Sequence, residues 1–197
     1  MSRDTIRLPH DATGCCRRCV LPAQCLRGGR LRARQSAGSS ARRLGHLHLR
    51  RPDEMKALFC SQRLILTGEK HGTVAVILHG KPYEMTTYRL DGSYRDHRHP
   101  DNVQFVDDLA ADLARRDFTI NALALCLNKE RYGELVDPFG GLEDMDELTI
   151  RTPLDPDVTF SDDPLRMMRA VRFATQLGFF IDPDTFDAII RNRERIS

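Results

Sequence analysis

The sequence predicts an α+β protein, with an incomplete mixed sheet and its helices running to about residue 138 and an all-helical unit after it. Three features carry that prediction. TVAVILHG (73–80) and PYEMTTYRL (82–90) are dense in β-branched and aromatic residues, as two strands joined at Lys81-Pro82 would be. Ser161-Asp162-Asp163-Pro164 combines capping side chains with a proline for the first turn, and opens a helix over 163–177 that Gly178 ends. Between them, Pro138 and Gly140-Gly141 break the chain where its character changes.

Taken in order, 53–59 reads as a short helix ahead of the two strands. The polar DGSYRDHRHPDN (91–102) is a loop, and VQFV (103–106) a further strand. DDLAADLARRDFTINALALCL (107–127) has a helical pattern broken near Asp117, and 134–137 reads as one more strand. GLEDMDELTIR and 184–195 complete the helical part. The implied organisation is an aberrant, disordered segment 1–51, a partial α+β domain 52–138 and a truncated helical domain 139–197.

A chain of 197 residues is long enough to bury a core, and none of its apolar runs approaches the ~20 residues that cross a bilayer. Its formal charge of +2 hides an asymmetry. Residues 1–51 hold 12 arginines and two acids, a balance of +10, whereas residues 52–197 hold 18 basic and 26 acidic residues, a balance of −8. Cys15, Cys16, Cys19 and Cys25 cluster in the basic segment. A zinc site is the sharp reading of that cluster, but His46 and His48, which could complete it, sit among arginines whose charge opposes a cation. A targeting segment, arginine-rich and acid-poor, fits the cysteines badly.

On the helix that opens at Asp163, Asp162, Arg166, Arg169 and Arg172 recur at steps of three and four and share one stripe. Met167, Met168, Ala170, Val171 and Ala174 occupy the other side, the expected core face. A charged helical stripe is usually a solvated surface. This one starts at a helix N-terminus and carries three guanidiniums, a combination suited to a triphosphate or a nucleic acid. In RRDFTINAL, Arg115 and Arg116 supply cationic forks, Asp117 can accept from ribose hydroxyls, and Asn121 can offer an amide to a sugar or base.

Through GEKHGTV (68–74), YEMTTYR (83–89), RHPDNVQFV (98–106), DLARRDFTINALA (112–124), DPFGGLED (137–144) and DDPLRMMRAVRFA (162–174), the chain resembles the class II tRNA nucleotidyltransferases and bacterial poly(A) polymerases of the polymerase-β-like superfamily. The resemblance implies a nucleotidyltransferase head followed by a helical neck that binds RNA. It implies template-independent transfer of CMP or AMP, from CTP and ATP, to the 3′ end of tRNA or another RNA, with Mg²⁺, in the cytoplasm, and with no role for a membrane or DNA. By the same resemblance, Arg115, Arg116 and Asp117 hold the ribose and triphosphate, and Asp163 and Arg166 read the incoming base. Asp162 stands where the family usually has glutamate. Arg169 contacts phosphate, Gly140 and Gly141 form the hinge between head and neck, and Glu84 is an acidic catalytic residue near the metals.

The carboxylate pair that such chemistry needs for its metals is missing upstream. Asp144-Met-Asp146, Asp155-Pro-Asp157 and Asp182-Pro-Asp184 have the spacing, yet they follow the ribose motif and read as caps and turns, so no metal ligand is assigned. For one permissible set of codons, residues 29–38 read one base later spell GGCVRDSLLG, and residues 43–50 in the same frame spell DWDICTS. These are the family's phosphate loop and its paired aspartates. The expectation is therefore a frameshifted first segment and a chain without transferase activity, to be settled by the DNA. Two alternatives stand beside it: a poly(A) polymerase, and a non-catalytic RNA-binding fragment whose basic arm neutralises phosphates. Uncovered apolar faces on the helical part predict self-association.

Overall fold

The structure, a computed structural model, describes residues 18–20, 45–91 and 103–196. The cysteine cluster and the stretch 29–38, expected to be a frameshifted phosphate loop, lie largely or wholly outside these residues, as does most of the loop 91–102. The described chain forms two compact units. The first contains 18–20, 45–88 and 124–136, and the second contains 89–91, 103–123 and 137–196.

The first unit is a seven-stranded mixed sheet. In chain order its strands are β1 (Arg18–Val20), β2 (Gly45–His48), β3 (Arg63–Ile65), β4 (Thr73–Leu78), β5 (Lys81–Thr87), β8 (Ala124–Cys126) and β9 (Leu135–Val136), arranged β3-β4-β5-β2-β1-β8-β9. β2 and β5 run parallel, in the register His46 to Met85, Leu47 to Thr86 and His48 to Thr87, and every other pair is antiparallel. β4 alternates as a strand with one buried face must, sending Val74, Val76 and Leu78 inward. They meet Met85, Leu127 and the face of helix α1 (Pro52–Leu58) that carries Met55, with Phe59 beyond its end, and together form the core.

Three expectations change here. The β4–β5 turn is His79-Gly80, at φ of 49° and 75°, and Lys81-Pro82 already belongs to β5. Successive positive φ values match the twist of a two-residue hairpin, which the Gly supplies readily and a Pro cannot. Residues 124–126 form a strand where the helical pattern was extended to 127. The run ALALCL is apolar on both faces, and periodicity alone does not separate a buried strand from a buried helix. Finally, segment 1–51, expected to be disordered, contributes β1 and β2, and His46, Leu47 and His48 are buried in the sheet.

The second unit contains the ribbon of β6 (Arg89–Asp91) and β7 (Val103–Phe105), a parallel pair of β10 (Thr149–Ile150) and β11 (Phe180–Ile181), and five helices. These helices are α2 (Leu109–Ala114), α3 (Gly141–Asp146), α4 (Pro156–Asp162), α5 (Leu165–Leu177) and α6 (Pro183–Asn192). Asp155 and Asp182 cap α4 and α6 with their side chains, each followed by proline in the first turn. Asp144 departs from its expected role. It lies inside α3, buried, and accepts from the Thr119 hydroxyl at 2.6 Å and from Arg151 Nε at 3.0 Å.

Phe160, Met167 and Ala188 form a core shared by α4, α5 and α6. The expected core face of α5 is corrected by half. Met167 and Ala170 are buried, but Met168 and Val171 are exposed, and Arg166 takes an inward position. An arginine displaces apolar residues from a buried stripe only when its guanidinium finds acceptors there, and Arg166 finds them.

Candidate functional site

All the candidates from Arg115 onward belong to the second unit, whereas Glu84 lies on β5 of the first, half-buried and opposite Ala75. α2 is capped by Asp108, whose carboxylate accepts from the Ala110 N–H at 2.9 Å, and it ends after Ala114. Ending there leaves the last carbonyls without helical partners. Arg166 from α5 takes one of them, donating from NH2 to the Arg115 carbonyl at 2.8 Å. Its NH1 is 3.5 Å from the Thr159 carbonyl, and its Nε stands 3.9 Å from the Asp163 carboxylate. One buried guanidinium thus ties the base of α5 to the end of α2. Asp163 spends Oδ1 on the Leu165 N–H at 3.0 Å. A cleft of about 370 Å³ opens beside Arg166, lined also by Leu90, Ala111, Ala114, Arg115, Leu154 and Asp162. That size suits a small organic ligand.

Asp117 forms a second network. Its Oδ1 accepts from the Phe118 N–H at 2.9 Å and from Asn121 Nδ2 at 3.1 Å, and its Oδ2 accepts from Arg169 Nε at 2.8 Å and NH2 at 2.5 Å. Arg169 and Arg172 both lie over the Phe173 ring, at 5.4 and 5.0 Å from its centre, and Phe118 meets that ring edge-on. Asp117, Asn121 and Arg169 are therefore brought together, as are Arg115, Asp163 and Arg166. The four bonds on Asp117 use the usual acceptor positions of a carboxylate, so a ribose hydroxyl can bond there only by replacing one of them.

Arg115 and Arg116 share a partner that sequence reasoning missed. Asp112, fully buried, accepts from Arg115 NH2 at 2.9 Å and from Arg116 NH2 at 3.4 Å. Its position three and four residues ahead of the arginines is the ordinary spacing of helical ion pairs, and was the available signal. Burial holds the Arg116 guanidinium below its usual pKa, although an arginine stays charged there. Gly140 sits in the left-handed region at φ 71°, and a Cβ on Gly141 would lie 2.3 Å from the Thr119 carbonyl oxygen. The Asp137 carboxylate accepts from the N–H groups of Gly141 and Leu142 at 2.8 and 2.9 Å. Gly141 is thus a point of close packing against the segment that carries Asp117 and Asn121.

Among the described residues no three His, Cys, Asp or Glu side chains converge as a metal would require. On β2, parallel to the strand of Glu84, the buried polar side chains are His46 and His48. Burial pushes the pKa of both down, to about 4 for His48, so both are neutral near pH 7. The described side chains do not fit a hard divalent cation, which takes oxygen ligands. No helix among the described residues is long and apolar enough to cross a membrane.

Comparison with known proteins gives this geometry its relatives. The family described as the poly A polymerase head domain matches residues 46–151, just over half of the chain. The CCA-adding enzyme of Geobacillus thermodenitrificans is 51% identical over 141 residues, and that of Geobacillus stearothermophilus 48% over 141 residues, 72% of this chain in each case. The chain spans about a third of the length of the curated relatives it matches, 33% for both of these enzymes. Among solved structures, the Bacillus stearothermophilus CCA-adding enzyme in complex with CTP gives a TM-score of 0.68 at 42% identity, covering 79% of this chain and 35% of that one. A tRNA nucleotidyltransferase complexed with a primer tRNA and an incoming ATP analogue gives 0.65 at 28% identity, covering 90% of this chain and 47% of that one. The mixed α/β architecture is that of these nucleotidyltransferases, and the chain belongs to the poly A polymerase head domain family.

Proposed function

We propose that this chain carries the nucleotide-selecting part of a tRNA nucleotidyltransferase that builds CCA ends, taking CTP and ATP and acting on a tRNA 3′ end in the cytoplasm. The observation that carries the proposal is the Arg166 bond to the Arg115 carbonyl, which joins the Asp163–Arg166 pair to the RRD segment. The chemistry of the bases explains how such a pair would select. Cytosine and adenine each present an exocyclic amine beside an unprotonated ring nitrogen, whereas uracil and guanine present a carbonyl beside a ring N–H. A carboxylate accepts from the amine, and a guanidinium donates to the ring nitrogen. Asp163 and Arg166 supply that couple on the protein, with Arg166 held in direction by its two carbonyl contacts. Arg115 and Arg116 supply charge for the triphosphate. Asp117 and Asn121 hold the ribose once Arg169 turns from Asp117 to phosphate. The head–neck division at residue 138, with Gly140 and Gly141 at the joint, belongs to the same proposal.

Titration of the chain with each of the four ribonucleoside triphosphates tests this. CTP and ATP are expected to bind about tenfold or more tightly than UTP and GTP, and Asp163→Asn should erase the difference. Equal binding of all four triphosphates by the unaltered chain would sink the proposal.

A second reading concerns transfer itself. Mg²⁺ would supply the charge that activates the attacking 3′ hydroxyl and steadies the triphosphate, but the described side chains, with neutral His46 and His48 on β2, provide no ligand set for it. The chain is accordingly expected to select nucleotides without incorporating them. Labelled CTP, Mg²⁺ and a tRNA lacking its CCA end should yield no extended product, and extension by this chain would overturn that expectation.

A further inference from the structure

We infer that Asp112 is the positioning residue of the site, a buried carboxylate whose two oxygens set the directions of Arg115 and Arg116 and so determine how strongly the site holds a triphosphate. The inference rests on the nucleotide-binding proposal above and adds a residue to it.

Its side chain is fully buried within the second unit. Oδ1 accepts from Arg115 twice, from Nε at 3.2 Å and NH2 at 2.9 Å, and also from the Arg89 N–H at 3.1 Å. Oδ2 faces Arg116 NH2 at 3.4 Å. Arg115 Nε further donates to the Arg89 carbonyl at 3.0 Å, so this guanidinium is held by acceptors from two elements. Each oxygen of Asp112 therefore serves a different arginine, and the angle between the two forks is set by one rigid, planar group.

Charge gives that geometry its purpose. A buried carboxylate left alone is costly, and one guanidinium is enough to neutralise it. Here two guanidiniums face one carboxylate, and Asp117, whose outer oxygen is bonded to Arg169, gives Arg116 only the smallest share of its support. Arg116 Nε is buried with no acceptor among the described residues. A guanidinium nitrogen without an acceptor, beside two forks that share one carboxylate, suits an anion with several oxygens, which the β- and γ-phosphates supply. Holding the forks beforehand removes the side-chain ordering that binding would otherwise require.

Asp112→Asn is the informative change. The amide keeps the shape and one acceptor oxygen, but presents an N–H₂ donor to one of the two guanidiniums and releases it. The Kd values for CTP, CMP and UTP are measured without added metal, and the melting temperature is recorded alongside. The unaltered chain should prefer CTP over CMP, and the Asn variant should lose about tenfold of that preference while still binding CTP better than UTP. An unchanged preference for CTP over CMP overturns the inference. So does a joint loss of phosphate and base preference, the mark of general misfolding. If the Asn variant melts below the assay temperature, Asp112→Glu, which keeps the charge and shifts the carboxylate by one methylene, gives the same measurement: a reduced preference supports the positioning role and an undiminished one overturns it. If the unaltered chain fails to distinguish CTP from UTP, the nucleotide-binding proposal itself falls, and the inference with it.

Discussion

Gly141 and His48 show how much can depend on a single position. A methyl group at Gly141 would sit 2.3 Å from the Thr119 carbonyl oxygen, a backbone atom that cannot swing aside. Gly141→Ala should therefore cost roughly 2–3 kcal/mol through overpacking, read as a lower urea midpoint, and a midpoint unchanged from the parent would refute the close packing. His48 stands in the sheet with neither ring nitrogen hydrogen-bonded among the described residues. Burial lowers its pKa from 6.5 to about 4, an effect that the Arg50 backbone only partly offsets. Between those values the unfolded chain binds the proton and the folded chain does not, so stability rises with pH through the window. Stability is thus full above pH 6.5 and falls as the solution is acidified toward pH 4, by roughly 3 kcal/mol for this residue alone. His46, lowered in the same direction, adds to the slope. Urea titrations at pH 7 and pH 5 check the sign, and greater stability at pH 5 would contradict it.

Elements differ in how plainly the sequence announces them. Asp155-Pro156 and Asp182-Pro183 carry the same cap-and-proline signature, and both open helices. α4 was missed because its seven residues are too few to show a period, even though Asp155 was read as a cap. Asp155→Ala removes the bond from its exposed carboxylate to the Asp157 N–H and should lower stability by about 1 kcal/mol, seen as a small fall in melting temperature. α5 shows the opposite difficulty. Its limits were legible, but its inward face was not, because the period alone gives an arginine no reason to turn in. The acceptors that draw Arg166 inward, the carbonyls of Arg115 and Thr159, lie 51 and 7 residues away in sequence. β3 and the β10–β11 pair, of two or three residues each, gave no local signal because pairing defines them. The candidate site was legible as a set of residue types. Its wiring was not: Asp112 beneath two arginines and Arg169 on Asp117 are properties of the folded chain.

At the level of the molecule, the exposed apolar side chains gather on the helical part. Met168 and Val171 on α5, Phe180 on β11, and Phe186 and Ile190 on α6 all face outward, Phe180 with 76% of its surface accessible. Large apolar side chains left exposed in this number favour association. Sedimentation of the chain should show a weight-average mass that rises with concentration above its 22.5 kDa, and a constant monomer mass across a hundredfold range would refute this. The sheet's last two strands have a different consequence. Residues 124–136 leave the helical unit, complete the seven-stranded sheet, and hand the chain back at Asp137. No single cut in the gene can therefore deliver the helical unit without strands that belong to its neighbour. Crossing over between related genes at residue 88 would give hybrids in which one parent's hairpin must fit the other parent's sheet, and at residue 137 hybrids whose helical unit is drawn from both parents, so no single exchange swaps either unit whole.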